Sequence, residues 1–246
     1  MKLYHGTSSR FLDRILKSGI KPRGKGKGQW DKFPSRPDLV YLTTAYPFYF
    51  SIQAIGKKEP GLVLEIDSSK LNTEYLLPDE DYIVQRAMDV TGKDMDTLHK
   101  SVWKTLEAFQ NRWLNSVHEL GNVAFKGTVP LEAITRYCTI DFLAQPLFTH
   151  ENLDPVINLL NYGTVGGYYR QLVAWAFDDS KKWPEPFSEY PAENRAMLRR
   201  EYPDREEAVR KAGMDRNGIE IVTVNGTKPK PSKKAAVKKA RVKRAP

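Results

Sequence analysis

The segment that most constrains the fold is residues 61–67, Gly-Leu-Val-Leu-Glu-Ile-Asp, where Leu62, Leu64 and Ile66 alternate with Val63 and Glu65. A period of two places three large aliphatic side chains on one side of a strand. Further strand-like runs lie at residues 2–4, 39–44, 122–129, 134–140 and 219–224. Helical patterns separate them. Phe11, Leu12, Ile15 and Leu16 recur at helical spacing behind a Ser8 or Ser9 cap and stop at Ser18-Gly19. Pro47 opens a helix over residues 47–55, with Phe48, Ile52 and Ile55 on one face. Pro78-Asp79-Glu80-Asp81 loads negative charge onto a helix N-terminus, and helical spacing continues through Val102, Leu106, Phe109, Trp113 and Val117. The mixture predicts an α+β fold.

Beyond residue 142 the texture shifts to helices and loops. Residues 153–160 and 168–177 read as helical, 183–191 as Pro-rich and aromatic, and 193–212 as an exposed helix of alternating charge. The expected organisation is a core over residues 1–141, a mostly helical extension over 142–227 packed on it, and a tail over 228–246. The tail holds nine basic residues and no acidic one, whereas residues 1–227 hold 30 of each, so the whole net charge of +9 belongs to the tail. The body is a neutral globule, which excludes a basic nucleic-acid-binding fold as the source of the charge. A Lys-, Ala- and Pro-rich tail buries too little apolar surface to offset its ordering entropy and is expected to be disordered when free. It suits electrostatic contact with DNA, RNA or an acidic protein surface, with Lys238, Lys239 and Arg241 among the contacting residues.

Cys138 is the one cysteine, which excludes intramolecular disulfides and Cys-rich zinc sites. The N-terminus carries no apolar signal-like run, and no stretch approaches the roughly 18 apolar residues of a membrane span. A soluble, cytoplasmic protein with no metal and no membrane partner is the expectation.

Three segments carry chemistry. Tyr4-His5-Gly6-Thr7 ends the first strand, a helix follows and closes at Gly19-Ile20, and Val40-Tyr41-Leu42-Thr43 lies on the second strand. In that order and spacing they resemble the opening of the ADP-ribosyltransferases of the His-Tyr-Glu class, which includes diphtheria toxin and the poly(ADP-ribose) polymerases. The run from Gly127 through Val129-Pro130 and Glu132 to Ile134 resembles the Gly-x-Ile-Pro-x-Glu-x-Ile stretch that closes bacterial and phage members. The likeness covers about residues 1–140 and implies a split-sheet core with a helical insertion, binding NAD as a substrate.

Breaking the nicotinamide–ribose bond passes through an oxocarbenium-like state, so a site must hold the leaving group and stabilise positive charge on the ribose. The resemblance implies that His5 bonds the adenosine ribose, that Gly6 and Thr7 bring backbone close to the nicotinamide carboxamide, and that Tyr41 packs on the nicotinamide ring. A second aromatic is expected from the next helix, with Tyr49 favoured among Tyr46, Phe48, Tyr49 and Phe50. The family's catalytic glutamate falls on Asn122 here. Either Glu119 reaches in, or Asn122 acts as a weaker substitute, or transferase activity is lost. Electrostatic stabilisation contributes several kcal/mol to such a barrier, so the missing charge matters.

Residues 21–36 hold six basic residues and one acidic one, and Lys25 and Lys27 are candidates for a phosphate or nucleic-acid contact. Gly24-Lys25-Gly26-Lys27-Gly28 lacks the Gly-Lys-Ser/Thr ending of a Walker loop. Tyr168, Tyr169 and Arg170 at a helix mouth suit an acceptor base or phosphate. The leading reading is an NAD-dependent ADP-ribosyltransferase that modifies a protein or nucleic acid. The alternatives are a catalytically silent relative that binds nucleic acid or protein, and an RNA 2′-phosphotransferase-like enzyme.

Overall fold

The computed structural model describes residues 1–26, 34–55, 59–140, 167–178 and 219–224. Its centre is a seven-stranded sheet whose neighbouring strands all run antiparallel. The strands are β1 (Lys2–Ser8), β2 (Leu39–Thr43), β3 (Gly61–Asp67), β4 (Leu76–Pro78), β5 (Asn122–Lys126), β6 (Ile134–Ile140) and β7 (Ile219–Thr223), in the order β4-β5-β2-β1-β3-β6-β7. The α+β expectation holds, and the alternating run at 61–67 lies near the middle of the sheet, between β1 and β6.

Helices cover both faces. The face carrying Leu3, Val40, Leu42, Leu62, Leu64, Ile66, Val123 and Phe125 packs on Ile15 of α1 (Leu12–Ser18) and Val117 of α5 (Trp113–Glu119). The opposite face holds two separate clusters. Tyr4, Val63, Cys138 and Ile140 pack under Phe48 of α2 (Pro47–Ala54) and under Leu172, Val173, Trp175, Ala176 and Phe177 of α6 (Gly167–Phe177). Leu39, Leu77 and Ala124, with the Tyr41 ring against them, pack under α3 (Glu80–Thr91) and α4 (Met95–Thr105). The first cluster belongs to the β1-β3-β6 half and the second to the β4-β5-β2 half. The line between them follows the junction of β1 with β2.

That junction is narrow. β1 pairs with β3 along its whole length, from Lys2↔Asp67 to Ser8↔Gly61, but meets β2 only at Tyr4↔Thr43. The two strands part from His5 onward.

Several elements differ from the sequence reading. β1 runs through Ser8, and a single 3-10 turn at Ser9–Phe11 precedes α1, because the Ser8 side chain accepts from the Arg10 amide. The run 122–129 is not one strand: β5 stops at Lys126, Gly127 turns at φ +94°, and Val129 forms a bridge with Ile20. β4, three residues ending in proline, carries no alternation that sequence could reveal. Of the extension, the strand expected at 219–224 joins the sheet as β7 beside β6, and the helix expected at 168–177 is α6, which closes one face. The readings at 153–160, 183–191, 193–212 and 228–246 lie outside the described residues.

Two residues lock α2 to the sheet. A Cβ on Gly6 would fall on the Pro47 carbonyl oxygen and within 2.6 Å of the Ser51 amide, so only glycine lets the helix backbone come this close. The buried Ser51 hydroxyl donates to Thr7 O at 3.0 Å and accepts from the Leu62 amide at 2.9 Å, tying α2 to β1 and β3. Ser51→Ala leaves both backbone groups without that partner and is expected to destabilise by about 1–3 kcal/mol. Gly6→Ala is expected to cost at least about 1–3 kcal/mol through overpacking. Chemical denaturation of the two variants measures both, and a loss below 0.5 kcal/mol in either would remove it from the lock.

Candidate functional site at the junction of β1 and β2

A strand that leaves its neighbour exposes backbone groups that need other partners. Continuing the Tyr4↔Thr43 register would set Gly6 opposite Tyr41, yet the strands no longer pair there. The His5 imidazole fills the gap, with Nδ1 2.8 Å from the Tyr41 carbonyl oxygen. A carbonyl only accepts, so Nδ1 carries the proton and Nε2 of the neutral ring is left as an acceptor. Desolvation by burial lowers the His5 pKa and outweighs the opposing effect of the Tyr41 carbonyl. The ring is therefore neutral at physiological pH, oriented for a hydroxyl donor.

Tyr41 is held at its other end. Its hydroxyl donates to Glu80 Oε1 at the start of α3, and the Arg36 amide donates to the same hydroxyl at 2.8 Å. Burial, then the Glu80 carboxylate, pushes the Tyr41 pKa far above the usual phenol value. The ring lies half-buried over Ala124, with both its backbone and its hydroxyl fixed.

Arg36 anchors the end of the basic segment. Its guanidinium pairs with Asp38 and Glu107, each at 2.7 Å, and Lys126 adds a third contact at 3.0 Å to Glu107. The Arg36 bond outweighs the opposing effect of burial and holds Glu107 down at about 2.

Asn122 opens β5 opposite Thr43, which in turn lies opposite Tyr4. Its side-chain oxygen is buried and accepts no hydrogen bond among the described residues. A buried acceptor without a donor costs about 1–3 kcal/mol, and a ligand hydroxyl is the kind of group that would satisfy it. The turn after β2 closes round this point. Thr43 Oγ1 donates to Gly121 O at 2.9 Å and accepts from the Ala45 and Tyr46 amides, both at 3.0 Å. Gly121 needs its φ of +82°, and Tyr46 Cε2 stands 3.4 Å from where a Cβ would be. Burial raises the Tyr46 hydroxyl to about 12 against the lowering effect of Arg170. Arg170 reaches Thr44 Oγ1 at 3.4 Å from α6.

The sequence candidates thus separate. His5 and Tyr41 meet at the junction, Gly6 follows His5 on β1 against the backbone of α2, and Asn122 lies one strand beyond Thr43 in the cross-strand row that begins at Tyr4. Thr7 is buried and gives its carbonyl to Ser51. Tyr49 sits on α2 in edge contact with Phe50, whereas Tyr46 adjoins Gly121. Glu119 is exposed at the end of α5, bound by Arg86 and by the Tyr82 hydroxyl at 3.2 Å. The Arg86 bond lowers its pKa and fixes it to α3. The expectation that Glu119 reaches toward the position of Asn122 therefore finds no support in its contacts. Lys25 is exposed on a turn, and Lys27, Lys238, Lys239 and Arg241 lie outside the described residues.

Sequence reasoning took Glu80 for a helix-start residue. The three-residue strand β4, invisible to periodicity, is what carries it to Tyr41. Among the described residues no helix is long and apolar enough to cross a membrane.

The His5 contact gives a pH test. A ring whose folded value lies below its unfolded value of 6.5 contributes its full stability above that pH and loses it as pH falls through the folded value. His5→Gln is expected to reduce the drop in Tm between pH 7 and pH 5 relative to wild type. An equal drop in both proteins would mean that His5 is not held neutral by the junction.

No protein-family model matches the chain, and comparison with curated proteins finds no relative.

Proposed function

We propose that the protein is an NAD-dependent ADP-ribosyltransferase that moves ADP-ribose from NAD to a protein or nucleic-acid acceptor and releases nicotinamide. The observation that supports this reading best is the meeting of His5 and Tyr41, from two separated motifs, where β1 and β2 part, with the unpartnered Asn122 oxygen one strand beyond. The group to be bound is NAD, and the residues present suit it. His5 offers a neutral acceptor nitrogen for a ribose hydroxyl. Tyr41 offers a fixed ring wall for nicotinamide, and the buried Asn122 oxygen offers an acceptor for the second ribose.

In the reaction, the bond from nicotinamide nitrogen to C1′ breaks with its electron pair going to the ring, and a nucleophile on the acceptor closes on C1′. Fixing the nicotinamide and both riboses holds the reacting atoms in line, which is the larger part of what a rigid site contributes. Arg170, on the exposed side of Thr44, suits an acceptor phosphate or acidic side chain. A second reading, a silent relative that only binds, is favoured by one observation: Asn122 stands where a carboxylate would be expected, and Glu119 is committed to Arg86.

Incubation with labelled NAD separates the two readings. Wild type is expected to release nicotinamide, and His5→Ala and Tyr41→Ala are each expected to lower release by at least about 100-fold while remaining folded by circular dichroism. No release by wild type, with retention on a low-salt nucleic-acid column, would favour the silent relative. Deletion of residues 228–246, which removes nine positive charges, is expected to flatten the salt dependence of polyanion binding and leave NAD hydrolysis intact. Loss of both together would show that the tail belongs to the site.

A further inference from the structure

We propose that the carboxylate missing from the first position of β5 is supplied from the neighbouring strand, by Asp79 and Glu80 at the junction of β4 with α3. This inference rests on the ADP-ribosyltransferase reading and names the charged group of that site.

The sheet register makes the argument. β4 pairs with β5 through Leu76↔Phe125, Leu77↔Ala124 and Pro78↔Val123, so the next residue, Asp79, comes beside Asn122. Asp79 keeps extended backbone at φ −66° and ψ 141°, so its side chain continues the alternation of β4 and leaves on the same side as Leu77. Leu77 and Ala124 belong to the cluster that also packs Tyr41, and Asn122 shares that side of β5. The Ser116 hydroxyl binds the two positions together, accepting from the Asp79 amide at 3.0 Å and donating to Asn122 O at 2.8 Å. One residue further on, Glu80 accepts from the Tyr41 hydroxyl, the ring proposed to wall the nicotinamide.

The surroundings of the pair are the second line of support. Asp79 is 8% exposed and Glu80 4%, and among the described residues neither is paired with a Lys or Arg side chain. Arg36 gives Glu80 only its backbone amide, at 3.4 Å, while its guanidinium turns to Asp38 and Glu107. The start of α3 offsets part of the negative charge, and the Asp79 side chain accepts from the Asp81 amide at 2.9 Å. Burial raises both carboxyls above their ordinary range, most strongly Asp79.

A third observation is independent of the acidic residues. The Asn122 side-chain oxygen, in the adjoining strand position, is buried and lacks a donor. An unfilled acceptor beside a buried carboxyl pair that lacks a cation suits a ribose that carries hydroxyls and develops positive charge, because that charge favours the ionised form of the pair.

The division of labour is specific. Asn122 accepts from the ribose hydroxyl, Glu80 acts as a positioning residue that fixes Tyr41, and Asp79 presents negative charge to the ribose as C1′ loses nicotinamide. The proton of the attacking nucleophile, water in hydrolysis or an acceptor group in transfer, passes to the Asp79 carboxylate and on to solvent. No oxidant or further reactant is needed.

Asp79→Asn, Glu80→Gln and the double variant test the proposal, because asparagine also caps helices and glutamine still accepts from Tyr41. The readouts are NAD affinity by calorimetry, nicotinamide release by chromatography, and Tm. The expected result is near wild-type affinity and Tm in the double variant with release slowed by about 100-fold or more. Unchanged release overturns the carboxylate pair and leaves the transferase reading standing. A loss of NAD affinity that accounts for the whole loss of release also overturns it, since the pair would then only shape the binding surface. A wild type that binds NAD without releasing nicotinamide, and gains release through Asn122→Glu, overturns both. Should the double variant not fold, each single variant is read by the same criteria.

Discussion

The single backbone pair between β1 and β2 is the constraint on which the rest of the structure depends. If the ladder continued, Gly6 would pair with Tyr41, the sheet would be uninterrupted, and His5 would have no carbonyl to bind. Because it stops, one backbone acceptor on β2 must be satisfied by a side chain, and an imidazole is long enough to do it. The same interruption separates the helices above the sheet into two groups, α2 with α6 and α3 with α4, over different halves of the core. The site is therefore a consequence of how the sheet fails to close. Its walls belong to two cores that are each independently packed.

Rigidity at the junction comes from buried hydroxyls acting in pairs. Ser51 ties α2 to β1 and β3, Thr43 closes the turn after β2 on Gly121, and Ser116 joins the β4–α3 junction to β5. Each hydroxyl donates once and accepts at least once, which uses its hydrogen-bonding capacity between elements that no ladder joins. Substitution at such a position removes at least two bonds with one atom. The arrangement keeps His5, Tyr41 and Asn122 in fixed relation although no ladder connects β1 to β2 beyond Tyr4.

The sequence made legible whatever obeyed a period. The run at 61–67, the helix behind Pro47 and the strand carrying Tyr41 all follow from alternation, turn residues and caps, and His5 and Tyr41 could be singled out from motif order. What escaped was set by register. β4 has three residues and ends in proline, too short to show a pattern, yet it decides that Asp79 lies beside Asn122. The role of Gly6 was likewise hidden. The space where a Gly6 Cβ would stand is taken by the backbone of α2, a packing role that sequence does not reveal. Glu119 looked the nearest carboxylate along the chain, but chain distance is a poor guide at a helix end. Arg86, a turn into α3, claims it first.

The two buried carboxylate centres on this sheet differ in how they are compensated, and that difference supports the proposed site. Glu65, on β3, lies in the same cross-strand row as Tyr4, Thr43 and Asn122, and it is almost completely buried. It is fully compensated: Arg136 grips it at 3.0 and 2.6 Å, Lys2 at 3.1 Å, and the Thr135 hydroxyl at 2.7 Å. Burial would raise its pKa, but the bonds from Arg136, Thr135 and Lys2 outweigh that and leave it lowered. Arg136 also donates to Phe177 O at 2.7 Å, so this network fastens α6 to the sheet. At the other end of the row, Asp79 and Glu80 are buried to a similar degree with a helix start, a phenol and amides for company. A fold that supplies two cations to one buried carboxylate has the means to neutralise the other. A buried carboxyl left without a cation is pushed toward its neutral form, as Asp79 and Glu80 both are here, and perturbed carboxyls of this kind collect where chemistry is done. The asymmetry between the two ends of one row is thus the physical reason to look for the reaction at β4, β5 and β2 and for structural cohesion at β3 and β6.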